Sequence, residues 1–402
     1  MILTGKRILL GVCGGIAAYK APNLLRLLQK KGAVLRVILT SGAEAFITPL
    51  TFEALCGEKV FKQRDFLAPP PGLIPHTELG RFAEAILVVP ATASFLASLA
   101  RGDAQSLLVA TILASQARVL ICPAMNHHMW AHPAVQENVE RIKGFGYEVL
   151  SPGEGELACG EAGPGRLPPE EVIVSYLERL VAPKDFAGKK VLVTAGPTRE
   201  FIDLVRFLSN RSSGKMGVAL AQAAWCRGAE VTLIHGPLSF TPPPFLKRVP
   251  VTSAEEMKEA VLTHFKDADL LLMAAAVADY RPEKALPGKL KKDQPALSLR
   301  LVRTPDILLA VKEVKRPGQL VVGFAAEEGE RLSVEAERKL KEKGLDLIVA
   351  NDITREDTGF EADTNEVLIL SRSGRQTRIP LASKEEVAWR ILDAVKECGG
   401  GR

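Results

Sequence analysis

The run Pro123-Ala124-Met125-Asn126-His127-His128-Met129-Trp130 gathers an amide, two imidazoles, two thioethers and an indole directly after the apolar stretch Arg118-Val119-Leu120-Ile121-Cys122. A strand that ends at Pro123 delivers these groups to the carboxyl edge of a parallel sheet, where open α/β sheets bind ligands. Such a gathering of polar and soft groups reads as a site; the competing reading is a core-capping loop whose Met and Trp only pack. Nearer the start, Gly11-Val12-Cys13-Gly14-Gly15-Ile16-Ala17-Ala18 leads from a strand into a helix, so bare backbone can approach a phosphate on the helix N-terminus. Thr40, Ser41 and the Ala91-Thr92-Ala93-Ser94 turn add hydroxyl and amide donors at further strand ends, which suits a mononucleotide such as FMN. The spacing is not G-x-G-x-x-G, and Leu39-Thr40-Ser41-Gly42 offers no acidic partner for a ribose hydroxyl, so NAD is disfavoured.

The second half carries its own anion-binding turns, Ala195-Gly196-Pro197-Thr198-Arg199-Glu200 after a strand and Ser209-Asn210-Arg211-Ser212-Ser213-Gly214-Lys215-Met216-Gly217 before a helix. The latter is not a Walker A loop: Ser209 stands where the first glycine belongs, and Met216 where a hydroxyl would meet magnesium. Met273-Ala274-Ala275-Ala276-Val277-Ala278-Asp279-Tyr280 offers small residues to a flat base, with Asp279 able to accept ribose hydroxyls or reach a metal. Lys289, Lys291 and Lys292 follow on a Pro/Gly loop. His127, His128 and His132 lack a carboxylate partner pattern in the sequence, so substrate contact or helix-start packing is preferred over a metal.

The elements that position these groups alternate. Arg7-Val12, a helix from about Ala18 to Lys31, Val34-Thr40, a helix through Glu53, Ile86-Pro90, a helix from Ser94 and Arg118-Cys122 form a βαβ rhythm. Near-continuous apolar strands such as Ala85-Ile86-Leu87-Val88-Val89 predict a parallel sheet covered on both faces. A polar Pro/Gly junction at Ala182-Gly188 predicts a boundary between domains 1–185 and 186–402. Beyond it Lys190-Thr194, Glu230-Ile234, Leu270-Ala274, Leu320-Ala325 and Leu345-Val349 predict a second doubly wound domain. A length of 402 residues supports more than one core. With 47% apolar and 25% charged residues the chain reads as an ordinary globular protein. A net charge of +5 without a Lys/Arg block argues against nucleic acid. The six cysteines, without metal or disulfide spacing, read as reduced thiols. No apolar run spans a bilayer and no signal segment is read, so a cytoplasmic protein is expected.

Gly14-Gly15-Ile16-Ala17-Ala18-Tyr19-Lys20, His76 in Pro75-His76-Thr77-Glu78-Leu79, the Pro-Ala-Met-Asn segment, and Gly155-Glu156-Leu157-Ala158-Cys159-Gly160 with Gly165-Arg166-Leu167 resemble the flavoprotein cysteine decarboxylases, specifically phosphopantothenoylcysteine decarboxylase. The resemblance implies FMN, held near Gly14, Gly15, Ser41, Thr92, Ser94 and Met125. It also implies that the cysteine side chain is oxidised to a thioaldehyde before carbon dioxide leaves. His76 is then a base or orienting group, Asn126 the partner of the substrate carboxylate, and Cys159 the proton donor in the final reduction. The chain departs from the family pattern at Ser94, Gln105 and Ser106, where backbone contacts would serve the flavin instead.

The second-half segments, with Thr304-Pro305-Asp306-Ile307-Leu308, Gly323-Phe324-Ala325-Ala326-Glu327 and Ala350-Asn351-Asp352, resemble phosphopantothenate-cysteine ligase. The resemblance implies an acyl-cytidylate made from 4′-phosphopantothenate and CTP with Mg2+, from which cysteine displaces CMP. Asn210 would hold the acyl-cytidylate, Lys289 would assist its formation and Arg206 would neutralise acyl or phosphate charge. Ala275, Asp279, Pro305, Asp306, Ile307, Leu308, Phe324, Lys339 and Lys343 would surround the nucleotide. Lys339 and Lys343 are four apart, so a solvated helix face is their other reading.

Together the two likenesses describe an α/β protein of two Rossmann-like domains, an N-terminal flavoprotein parallel sheet and a C-terminal nucleotide-binding ligase domain. They imply consecutive steps of coenzyme A synthesis, trimeric flavoprotein domains and dimeric ligase domains in an assembly as large as a dodecamer. Peptide-cysteine decarboxylases and prenyl-flavin synthases match the first half alone. A flavin-binding scaffold or DNA-associated flavoprotein without ligase activity is the non-catalytic alternative.

Overall fold

Six parallel strands carry the first half: β1 (Arg7–Val12), β2 (Val34–Leu39), β3 (Val60–Lys62), β4 (Ala85–Ala91), β5 (Arg118–Pro123) and β6 (Glu148–Val149), in the order β3-β2-β1-β4-β5-β6. They belong to a computed structural model that describes residues 2–69, 71–158, 160–291, 298–327, 329–352 and 362–399. Strand periodicity splits the apolar residues between two faces. Ile8, Leu10 and Val12 join one core with the helices Ala21–Lys30 and Glu170–Val181. Leu9 and Cys13 join the other with Ala93–Arg101, Leu107–Leu113 and Pro133–Gly144. Each fully buried leucine in these layers is worth about 2–3 kcal/mol over an exposed one, which is why the strands read as unbroken apolar runs. The sequence also fixes where the helices begin. Thr92 Oγ1 accepts from Phe95 N at 3.3 Å, Ser106 Oγ accepts from Val109 N at 3.2 Å, and prolines open the helices at Pro75 and Pro133.

An antiparallel ribbon of β7 (Gly153–Glu156) and β8 (Ala162–Arg166) forms outside this sheet. It is tied to the end of β5 by Met125 N–H donating to Gly165 O at 3.0 Å.

Among the described residues the second half holds twelve more strands, numbered in chain order. β9 is Lys190–Ala195, β10 Arg199–Phe201, β11 Phe207–Ser209, β12 Glu230–His235, β13 Lys247–Pro250 and β14 Leu270–Met273. β15 is Tyr280–Pro282, β16 Leu301–Arg303, β17 Leu320–Glu327, β18 Leu347–Asp352, β19 Thr364–Ser371 and β20 Gln376–Ser383. Eight of them build one sheet in the order β13-β12-β9-β14-β17-β18-β19-β20. The first six are parallel, as a doubly wound domain requires, while β19 and β20 close the edge as an antiparallel hairpin the sequence reading did not include. β10 with β11, and β15 with β16, make two short ribbons.

The two compact units are Met1–Ala182 and Pro183–Arg402. Residues 183–185, expected to end the first domain, therefore join the second. Lys184 Nζ donates to Cys226 O at 3.1 Å, and Asp185 Oδ2 accepts from Arg227 Nη2 at 2.6 Å. Pro/Gly composition marks a turn but does not say which core its side chains join. Among the described residues no helix is long and apolar enough to cross a membrane.

Candidate active sites

In the first unit the anticipated cofactor residues lie at the carboxyl ends of four adjacent strands, β2, β1, β4 and β5. The loops after β1 and β2 meet backbone to backbone: a Cβ on Gly14 would lie 2.4 Å from the carbonyl carbon of Gly42, so only glycine permits the approach. Thr40 N–H donates to Val12 O and Cys13 N–H to Pro90 O, each at 3.1 Å, locking the turns in register. Ser41 and Ser94 are exposed at this edge, and Thr92 is half-buried. This glycine-opened cradle with nearby hydroxyls fits the phosphate end of a flavin mononucleotide. Cys13 is buried below it, and that burial, opposed by a backbone hydrogen bond from Thr92, pushes its thiol up to about 12; it stays a neutral thiol.

His76 lies in the first turn of the helix Pro75–Phe82. Its ring packs edge-on against Phe66 at 5.5 Å, and its buried Nδ1 has no hydrogen-bond partner among the described residues. Asn126 caps the helix His127–Ala131: Oδ1 accepts from His128 N at 2.9 Å, which turns Nδ2 toward the ribbon. There Nδ2 donates to Glu161 Oε2 at 3.3 Å, and His127 Nδ1 lies 3.6 Å from the same oxygen. The fold thus supplies the carboxylate neighbour that the sequence denied to His127. Side-chain ligand atoms of His127, His128 and Glu161 fall within 4.8 Å of one another. Glu161 was missed because ribbon pairing, not sequence spacing, brings it to Asn126. Cys159 lies outside the described residues.

In the second unit a cavity of about 780 Å³ opens at the carboxyl edge, a volume suited to a nucleotide. Asn210, Ala275, Asp279, Pro305, Asp306, Ile307, Leu308, Phe324, Lys339 and Lys343 all line it. Its walls are cross-tied. Asn210 Nδ2 donates to Ala276 O at 3.2 Å and Val277 O at 3.1 Å, Ala275 N to Thr194 Oγ1 at 3.0 Å, and Ala278 N to Thr198 Oγ1 at 3.0 Å. Gly214, at φ +77°, turns the chain into the helix Lys215–Cys226, so its left-handed backbone explains the glycine of that motif. Lys339 and Lys343 are not a solvated face: Lys339 pairs with Glu327, and Lys343 Nζ lies 3.1 Å from Asp306 Oδ2.

Two anticipated residues do not line the cavity. Lys289 is exposed. Arg206, expected to neutralise substrate charge, is engaged by Asp203 at 2.5 Å and donates to Leu290 O at 3.4 Å, so it holds the loop that carries Lys289. Conversely, Lys384 and Asn365 line the cavity without having been anticipated. Both belong to the unforeseen hairpin or the helix after it. Lys384 opens the helix Lys384–Gly399 and is 6% exposed. Burial, and then the nearby charge of Lys215, push its amine down to about 8, with Asp363 opposing.

Residues 2–182 match the family described as Flavoprotein, and residues 186–398 the family described as DNA/pantothenate metabolism flavoprotein C-terminal domain. The Coenzyme A biosynthesis bifunctional protein CoaBC of Bacillus subtilis (strain 168) is 44% identical over 398 residues, 98% of this chain and 97% of that one. That of Escherichia coli (strain K12) is 42% identical over 401 residues, 98% of each. A crystal structure of the C-terminal domain of a protein of that name is 40% identical, covering 55% of this chain and 100% of that one at a TM-score of 0.47. The chain belongs to the family of coenzyme A biosynthesis bifunctional proteins, with a flavoprotein decarboxylase domain followed by a phosphopantothenate-cysteine ligase domain.

Proposed function

We propose that the chain ligates cysteine to 4′-phosphopantothenate with CTP, through an acyl-cytidylate, and then decarboxylates 4′-phosphopantothenoylcysteine to 4′-phosphopantetheine with FMN. The observation that carries the pairing is one chain with two strand-edge sites: a glycine-opened cradle beside an outward amide donor, and a separate nucleotide-sized cavity.

In the first site Gly14, Gly15, Ser41, Thr92, Ser94 and Met125 would hold the FMN. What FMN supplies when bound is reversible hydride exchange with the sulfur-bearing carbon of the substrate. Asn126 holds the substrate carboxylate, His76 takes or orients a proton, and Cys159 donates one at the end. Carbon dioxide leaves with its electron pair flowing toward sulfur, so the protein's task is to orient and desolvate the group.

In the second site cysteine's amine displaces CMP from an acyl-cytidylate held by Asn210. Activation piles negative charge on the α-phosphate and leaving pyrophosphate, which Lys289 and Mg2+ carried with CTP offset. Asp279, Ala275, Phe324, Lys339 and Lys343 enclose the nucleotide. Arg206 serves this step by holding the Lys289 loop. We place the enzyme in the cytoplasm and infer trimeric flavoprotein domains and dimeric ligase domains.

The deciding experiment is mass-resolved product analysis with 4′-phosphopantothenate, CTP, magnesium and cysteine. The parent should yield CMP and 4′-phosphopantetheine, Cys159→Ser should stop at decarboxylation, and Lys289→Gln should stop before ligation. No CMP and no mass change would overturn the ligase reading.

A further inference from the structure

Asn126 turns its amide nitrogen toward the ribbon, because its Oδ1 accepts from His128 N. That donor, Nδ2, is 3.3 Å from a carboxylate oxygen of the chain itself, Glu161 Oε2. The same oxygen is 3.6 Å from His127 Nδ1, which is buried and makes no closer hydrogen bond among the described residues. An amide and an imidazole converging on one carboxylate oxygen make a carboxylate subsite, and the chain fills it with its own side chain. Glu161 reaches it from the ribbon of β7 and β8, which is fastened to the same loop at Met125.

We infer that Asn126 Nδ2 and His127 Nδ1 together bind the carboxylate of the decarboxylase substrate, and that Glu161 occupies this subsite when substrate is absent. The inference rests on the decarboxylase reading and adds to it a second binding residue, His127, and an internal competitor. A carboxylated substrate has to displace Glu161, since two carboxylates cannot share the donors. The decarboxylated product has no such group, so Glu161 can return and satisfy Asn126 after carbon dioxide has left. Glu161 is therefore a specificity residue that weakens substrate binding and leaves product binding unaffected.

The test uses the full chain with FMN bound. It measures KM and kcat for carbon dioxide release from 4′-phosphopantothenoylcysteine, and the inhibition constant of 4′-phosphopantetheine. If the subsite is nine-tenths self-occupied, Glu161→Ala lowers KM about tenfold while the product constant stays put. Glu161→Gln, neutral but still able to accept from Asn126, falls between parent and alanine variant. His127→Ala raises KM and likewise spares the product constant. A KM that rises in Glu161→Ala, or a product constant that moves with KM in either alanine variant, overturns the inference alone. A parent that releases no carbon dioxide overturns the decarboxylase reading and this inference with it.

Discussion

Asp203 and Arg206 form a 2.5 Å ion pair whose carboxylate also accepts the N–H of Leu290 at 3.0 Å, so one buried side chain fastens the loop that follows Lys289. Burial works against the charge, yet the N–H groups of Leu290, Arg206 and Val205 and the Arg206 guanidinium hold the Asp203 carboxyl well below the usual carboxylate range. On the role proposed for Lys289, Asp203→Asn should release the loop and lower CMP formation about tenfold or more, because a misplaced reacting group loses its proximity advantage. Carbon dioxide release from supplied 4′-phosphopantothenoylcysteine should not change. Equal loss of both activities in the variant would contradict this account.

The Gly14 approach gives a prediction for the other half. Gly14→Ala forces a methyl to within 2.4 Å of Gly42 backbone and separates the loops after β1 and β2. The purified variant should lose the flavin absorbance band and carbon dioxide release while retaining CTP-dependent ligation. A variant that remains yellow at full flavin stoichiometry would show that the cradle lies elsewhere.

The sequence made the parallel strands legible because β1, β4 and β5 are buried on both faces and so read as apolar runs. It made Asn126 and Gly14 legible because both stand where strands end. Glu161 was hidden, since β7 and β8 consist of glycine, alanine, proline and charged residues with no strand period to read. Lys384 was hidden for a different reason. Its place in the cavity depends on the hairpin of β19 and β20, and an isolated Ser-Lys-Glu-Glu start reads as an ordinary solvated helix. Asp203 was not foreseen as the partner of Arg206, because charge in a sequence does not reveal which carboxylate will claim it.

Arg227, 2% exposed, bridges Asp185 at 2.6 Å and Asp393 at 2.7 Å. It joins the first residues of the second unit to its last helix. Arg227 beside Asp185, against the opposing effect of burial, holds that carboxyl down at about 2, from an ordinary 3.8. A depressed carboxylate stabilises the fold above its unfolded value, and this contribution is lost as pH falls from about 4 through 2. Allowing for screening, it amounts to ~1–2 kcal/mol. Arg227→Ala should cost ~3–5 kcal/mol at neutral pH, because it empties a buried site and leaves the little-exposed Asp185 to Lys396. Denaturant unfolding at pH 7 and at pH 2 checks both, and a cost that does not shrink in acid would argue against the pair.

Lys384 gives a prediction for stability and, on the proposed nucleotide site, one for CTP. Its amine, ordinarily near 10.5, sits at about 8 in the fold. Between those values the unfolded chain holds a proton that the folded chain lacks, so stability rises with pH across that window, and below pH 8 the full penalty applies. That penalty is ~2–3 kcal/mol for a side chain so little exposed. Lys384→Met should therefore be more stable than the parent at pH 7, with the gain fading as pH climbs from 8 to 10.5. The same substitution takes a cation from the cavity wall, so KM for CTP should rise while carbon dioxide release is unchanged. Denaturant titrations of both proteins at pH 7 and pH 10, alongside CTP kinetics, separate the two effects. A variant less stable at pH 7, or equally offset at both pH values, would mean that Lys384 is an ordinary packed lysine whose charge the fold already satisfies.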